Sequence, residues 1–232
     1  MNDAHRLVLW DIDLTLVDLR GLGGDWYTKA LASVAGVSLE RMPSFPGRTE
    51  LAITTELLSA HGIEPTEDLV RAVWQELVAL STETLPSLHD YGHALPGASA
   101  ALAALAARTG VVQSLVTGNL PEIARHKLSA FDLHGHVDFT IGGYGSLSAH
   151  RPDLVAHAVE LATSKHGMAF APEDVVVIGD TPHDVEAALH HGAVAIGVAT
   201  GRHGADVLHA AGAHIVFHDL SDTEAVLRAI LR

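Results

Sequence analysis

The chain has 232 residues, of which 48% are apolar or aromatic and 18% charged, with 28 acids against 14 bases and no cysteine. A formal charge of −14 opposes non-specific binding to nucleic acid, which needs clustered Lys and Arg. The missing thiols exclude disulfides and cysteine nucleophiles and fit a cytoplasmic protein. No apolar run reaches the ~18 residues that span a bilayer, and Met1–Arg6 lacks the apolar core of a secretion signal. The length suits one large α/β domain, or a core with a smaller insert, and no membrane partner is expected.

In chain order, the first element is the run Leu7-Val8-Leu9-Trp10, which passes directly into Asp11-Ile12-Asp13-Leu14-Thr15. A continuous apolar run of this length predicts a strand buried on both faces of a parallel sheet. Ligands of open α/β sheets sit beyond the carboxyl ends of such strands. Asp11 therefore stands at a strand tip, with Asp13 able to face the same opening. Two acids so close imply a cation, a shared proton, or both.

Residues 22–36, 49–61 and 66–85 then read as helices with no strand between them. The third carries apolar residues at 69, 70, 73, 74, 77 and 78, close to a 3.6-residue period. This insert leaves after the first acidic loop and returns near Leu95-Pro96-Gly97, so it is expected to form a lid over the sheet's carboxyl edge. From there strands and helices alternate. Strands are predicted at 111–116, 175–178, 193–198 and 215–217, and helices at 97–108, 121–130, 151–166, 182–191, 204–211 and 221–231. That order predicts an α/β fold: a Rossmann-like parallel core with helices on both faces, joined by right-handed crossovers. The domain division expected is residues 1–19 and 94–232 for the core and 20–93 for a helical cap.

Three later segments carry chemistry. Thr117-Gly118-Asn119 offers a hydroxyl and backbone N–H groups just before Pro121 opens a helix, a suitable cradle for an anion. Arg151-Pro152-Asp153 places a fixed positive charge at another helix start, able to grip phosphate with two N–H groups. Gly179-Asp180-Thr181-Pro182-His183-Asp184 is a second strand end with paired acids. An oxygen-rich site of this kind suits Mg2+ bound through carboxylates, a backbone oxygen, waters and a substrate phosphate. The 17 histidines show no third ligand at a recognisable spacing and no His-Glu-x-x-His motif, and they read as surface residues.

Asp-x-Asp-x-Thr, then Thr117, then a basic residue before proline, then Gly-Asp-x-x-x-Asp resembles, in that order, the haloacid dehalogenase-like hydrolase superfamily. The likeness covers nearly the whole chain. The position of the helical insert is similar to that superfamily's cap, and the overall pattern resembles phosphoglycolate-phosphatase-like members. The resemblance implies that Asp11 is the nucleophile, forming an aspartyl-phosphate, and that Asp13 protonates the leaving alcohol and later activates water. It implies that Thr117, Gly118, Asn119 and Arg151 hold the phosphoryl group. Asp11, the backbone carbonyl of Asp13, and Asp180 would bind Mg2+, with Asp184 assisting.

Three positions depart from the resembled pattern. Leu14 stands where glycine is common, which would reshape the loop; Arg151 stands where lysine is usual; Leu19 follows Asp18 where a small polar residue is frequent, which bears on the cap hinge only. In the insert, Pro46-Gly47-Arg48-Thr49-Glu50 resembles a cap loop facing substrate, and Arg48 is expected to contact the leaving group.

The activity implied is a Mg2+-dependent phosphatase acting on a small phosphorylated metabolite. The alternatives are a sugar phosphomutase, a phospho-accepting signalling module, and a catalytically silent binding protein. Carbon–halogen hydrolysis is disfavoured by Asp13, an acid/base group that the superfamily's dehalogenases lack. The sequence leaves the oligomeric state open.

Overall fold

The computed structural model describes residues 5–232; residues 1–4, the start of the N-terminal stretch read above, lie outside the described residues. Its centre is strand β1 (Arg6–Trp10), every residue of which is buried. β1 pairs in parallel with β4 (Val111–Thr117) on one side and with β6 (Val175–Gly179) on the other. Outside β6 lie β7 (Val194–Val198) and β8 (Ile215–Phe217), and outside β4 lies β5 (Gly143–Tyr144), giving the order β5-β4-β1-β6-β7-β8. Successive side chains of a strand face opposite sides of the sheet. Accordingly Val8, Trp10, Val176 and Ile178 enter one apolar cluster, while Leu7, Leu9, Val175 and Val177 enter the other. The continuous apolar run in the sequence reflects this double burial.

Helices α4 (Ala98–Ala106), α5 (Pro121–Ser129) and α9 (Thr223–Ile230) supply Leu102, Ile123 and Val226 to the first face. Helices α6 (Arg151–His166), α7 (Pro182–His190) and α8 (Ala205–Ala210) supply Leu154, Val185 and Leu208 to the second. Each predicted core helix is present, trimmed by at most two residues at an end. At α9 the trimming has a clear cause: Asp222 is the N-cap, its carboxylate accepting a 3.0 Å bond from Ala225 N–H.

The inserted segment consists of α1 (Leu22–Ala35), α2 (Glu50–Ala60), α3 (Glu67–Thr84) and a 3-10 turn over Leu85–Tyr91. The periodic face of α3 buries Val70, Val73 and Leu77 as its spacing predicted. Thr49 and Thr66 cap α2 and α3 by accepting 3.3 Å bonds from Ala52 and Leu69 N–H. The chain leaves and re-enters the core through a ribbon the sequence did not reveal. There β2 (Val17–Asp18) pairs antiparallel with β3 (His93–Ala94), Val17 opposite Ala94 and Asp18 opposite His93. Two-residue strands are too short to show any periodicity, and the same holds for β5.

The insert is fastened to the core by backbone. Glu50 N–H donates to Gly118 C=O and Leu51 N–H to Gly145 C=O, both at 2.9 Å. A Cβ at Gly118 would overlap the Arg48 carbonyl, so only glycine permits this approach. Among the described residues no helix is long and apolar enough to cross a membrane.

Candidate active site

The sheet register decides what meets what. Trp10 lies opposite Leu115 of β4 and Ile178 of β6, so the chain reaches Asp11, Thr117 and Asp180 at the same carboxyl edge of three adjacent strands. Asp11, Asp180 and Asp184 each offer a carboxylate oxygen, and these oxygens lie within 4.8 Å of one another in a buried cluster. Residues 173 positions apart in sequence thus share one site.

Arg151, from the first turn of α6, closes the cluster. Its Nη2 donates to Asp11 Oδ1 at 2.9 Å, Asp184 Oδ1 at 2.5 Å and Val116 C=O at 3.1 Å, while Nη1 donates to Gly47 C=O of the insert at 3.1 Å. Asp184 also completes a capping box at the start of α7. Its Oδ2 accepts from Thr181 N–H at 3.1 Å and from Thr181 Oγ1 at 2.6 Å. Asp180 is different: no protein donor reaches its carboxylate among the described residues, although it is only 2% exposed. A Cβ at Gly201 would overlap that carboxylate, so glycine there leaves Asp180 its room.

Three acids against one guanidinium leave excess negative charge in a poorly solvated place. Burial pushes the Asp11 carboxyl up to about 7, against the pull of Arg151. Burial, reinforced by Asp11 and Asp184, pushes Asp180 up to about 9. Burial works against the Arg151 charge, yet Asp184 and Asp11 hold its guanidinium above the ordinary value. A buried, all-oxygen set with an unpartnered carboxylate fits a hard divalent cation.

Asp13 points elsewhere in the same opening. Lys127 Nζ donates to Asp13 Oδ1 at 2.6 Å and Oδ2 at 2.7 Å, and to Asn119 Oδ1 at 2.7 Å. Asn119 Nδ2 in turn donates to Asp13 Oδ2 and to Thr117 Oγ1, both at 2.8 Å. Thr117 is fully buried, with its hydroxyl proton left to donate. Asp11, Asp13, Gly118, Asn119, Arg151 and Asp180 all line one cavity of about 400 Å³, to which the insert also contributes walls.

Two departures from the motif look different in three dimensions. Leu14, standing where glycine is common, adopts the left-handed conformation at φ 61°. Its carbonyl is held by Thr200 Oγ1 at 2.5 Å. Leu19 is buried and lines the cavity, so it is not a hinge residue only. Arg48 also lines the cavity, but its guanidinium is engaged at 2.6 Å by Glu56 within the insert.

Lys127 carries no motif in the sequence, and Glu50 stands there only as the last residue of the loop that resembles a cap loop. Glu50 is buried at the start of α2, its Oε1 accepting from the Tyr27 hydroxyl and, at 3.0 Å, from Thr54 Oγ1. Burial raises its carboxyl. A signal for Lys127 did exist. Leu120, Ile123 and Lys127 follow helical spacing along a buried face, which puts a cation at a core position of α5.

Buried acids at adjacent tips of a parallel sheet, opposed by a guanidinium and opening into one cavity, define an α/β protein with a carboxylate-based centre. The chain belongs to the haloacid dehalogenase-like hydrolase family, whose model matches residues 8–189. It is 27% identical over 245 aligned positions to the Dickeya dadantii (strain 3937) protein named "Probable phosphatase IndB", covering 97% of this chain and 95% of that one. Its structure is similar to that of a hydrolase from Pseudomonas syringae, with TM-score 0.66, 21% identity, and 97% and 99% of the two chains covered. A predicted phosphoglycolate phosphatase from Haemophilus somnus 129pt is also similar, with TM-score 0.64, 20% identity, and 98% and 100% covered. At these identities the structural likeness is one of fold.

Proposed function

We propose that the protein is a Mg2+-dependent phosphatase that hydrolyses a small phosphorylated metabolite through an aspartyl-phosphate on Asp11. In this reading residues 1–19 and 94–232 form the catalytic core and 20–93 the cap, and the enzyme works in the cytoplasm, with no nucleic-acid or membrane partner. The observation that carries the reading is the convergence of the Asp11, Asp180 and Asp184 carboxylates, with Arg151 bonded to Asp11 and Asp184 and the Asp13 carboxylate held in the same cavity.

Asp11 attacks phosphorus as the phosphorus–oxygen bond to the leaving alcohol breaks, and Asp13 supplies the proton that alcohol needs. Asp13 then takes a proton from water, whose oxygen attacks the phosphorus of the acyl phosphate; inorganic phosphate leaves and Asp11 is regenerated. Such covalent catalysis divides one hard displacement into two. Phosphoryl transfer depends mainly on positioning and charge neutralisation. Arg151, Thr117, the Gly118 backbone and Asn119 would hold the transferred oxygens. Asp11, the Asp13 carbonyl and Asp180 would hold Mg2+, with Asp184 in support, and the ion would supply positive charge that offsets repulsion between carboxylate and phosphate dianion.

The likeness to phosphoglycolate phosphatases, in motif pattern and in fold, names no substrate. A screen of phosphate release across phosphorylated metabolites, with Mg2+ or with EDTA, tests the proposal. Release should require Mg2+ and should vanish in Asp11→Asn, which keeps the shape but loses the nucleophilic charge. Turnover by that variant equal to the parent's would defeat the mechanism, and an isomerised sugar phosphate without release would assign a phosphomutase.

A further inference from the structure

We propose that the leaving-group end of the cavity takes an uncharged, ring-bearing alcohol, so that the substrate is a phosphomonoester of such an alcohol and not of a short carboxylic acid. This rests on the phosphatase reading and concerns the half of the site contributed by the insert.

The cavity runs from the carboxylate cluster to a wall of Trp26, Tyr27, Phe45, Ile53, Leu77 and Ile123. The Tyr27 and Phe45 rings stack with centroids 5.2 Å apart and planes 16° from parallel, forming a flat apolar surface. Leu14 and Leu19, the two apolar departures from the motif, line the same space. A volume of about 400 Å³ falls within the range of pockets that enclose whole small molecules, roughly 300–1,000 Å³. A two-carbon acid would leave most of it empty.

Charge points the same way. A carboxylate on the leaving group needs a cation that is not already engaged. Arg48 is paired with Glu56 at 2.6 Å, and Lys127 is taken up by Asp13 and Asn119. Arg20 is mostly exposed and paired with Asp18 at 2.7 Å. Arg202 also lines the cavity with no ion pair among the described residues, but it is exposed, where water and salt screen its charge. The acid in the wall is Glu50, which would repel a substrate carboxylate. Both protein bonds to its carboxyl go to Oε1, leaving Oε2 to accept from a hydroxyl on the ring.

The test uses the whole protein with Mg2+ and four synthetic or commercial esters: benzyl phosphate, cyclohexylmethyl phosphate, 4-carboxybenzyl phosphate and 2-phosphoglycolate. The expected kcat/KM for the two uncharged-ring esters is at least about tenfold above that for either carboxylate, a gap equivalent to about 1.4 kcal/mol. Equal or faster turnover of 2-phosphoglycolate, or of the carboxylated ring, overturns the inference while leaving the phosphatase reading standing. Calorimetric binding of the same four esters to Asp11→Asn reads the preference without turnover. If no ester is hydrolysed, the catalytic reading fails, and a flat ranking of Kd in that variant defeats the substrate inference separately. Glu50→Gln should narrow the ratio of benzyl to 4-carboxybenzyl phosphate. Because the ratio is taken within one variant, partial loss of folded protein cancels, and an unchanged ratio counts against Glu50 as the group that excludes carboxylates.

Discussion

Lys127 Nζ stands 2.6 and 2.7 Å from the two carboxylate oxygens of Asp13, a residue 114 positions earlier in the chain. Asn119 bonds to both partners, so Asp13 is fixed from two directions. A proton-transferring carboxylate acts only from within hydrogen-bond reach of the reacting oxygen, and a held rotamer keeps it there.

Lys127→Met should therefore lower kcat by about tenfold or more, a fraction of the 10²–10⁴ that positioned acid/base groups contribute. KM should move much less, because Lys127 holds Asp13 and not the bound phosphate. Lys127→Arg should not restore the rate, since a planar fork cannot reproduce a compact ammonium between three oxygens. Steady-state kinetics with a circular-dichroism melt checks this; a change confined to KM contradicts the role.

The metal-free protein should lose stability as pH rises. Asp11 and Asp180 have folded values of about 7 and about 9 against an ordinary 3.8. Raised values mean that the folded state binds these protons more tightly. Their contribution is complete below about pH 4 and is lost as pH passes through each folded value. Calorimetry in EDTA should show Tm falling between about pH 4 and 9. Added Mg2+ should raise Tm more at about pH 8.5 than at 6, because cation and protons compete for the same oxygens. A Mg2+ increment independent of pH would contradict the assigned ligands.

Leu14 is held at φ 61°, a region that costs a non-glycine residue roughly 1–2 kcal/mol. Leu14→Gly relieves that strain but loosens the unfolded chain by about 0.5–1 kcal/mol, so Tm should change little or rise slightly. Leu14→Val, branched at Cβ, should lower Tm by several degrees in thermal denaturation. Equal melting of the two variants would mean the loop relaxes elsewhere.

Gly118→Ala should separate the insert from the core, because the added Cβ would overlap the Arg48 carbonyl. The Glu50–Gly118 bond at 2.9 Å lies in the same contact. A displacement of about 1 Å at an active site can cost on the order of 10²-fold. A fall of that order in kcat/KM is expected, with the core remaining folded by circular dichroism. A rate within about twofold of the parent would show that the contact is dispensable.

Much of the core was legible because its signals are local. Leu7–Trp10 and Val175–Ile178 are continuous apolar runs because their strands are covered on both faces. The predicted boundaries of α6 match the structure at both ends, since Arg151-Pro152 opens it and Gly167 ends it in a left-handed conformation. The β2–β3 ribbon was not legible, because two residues per strand leave no pattern and pairing depends on chain 75 residues away. The loop around Arg48 marks it as a cavity residue, which it is, but its pairing with Glu56 is visible only in the fold.

The sequence by itself determined the order of the longer core strands and of the helices, the place of the insert, the acids and hydroxyl at strand ends and the arginine at a helix start, because residue type and spacing along one chain encode these. The tertiary structure decided which charges meet. The parallel register placed Asp11 beside Asp180, the crossover brought Arg151 between Asp11 and Asp184, and the packing of α5 set Lys127 against Asp13. Electrostatic partnership depends on distances of a few ångströms between segments far apart in the chain, and no local pattern records those distances.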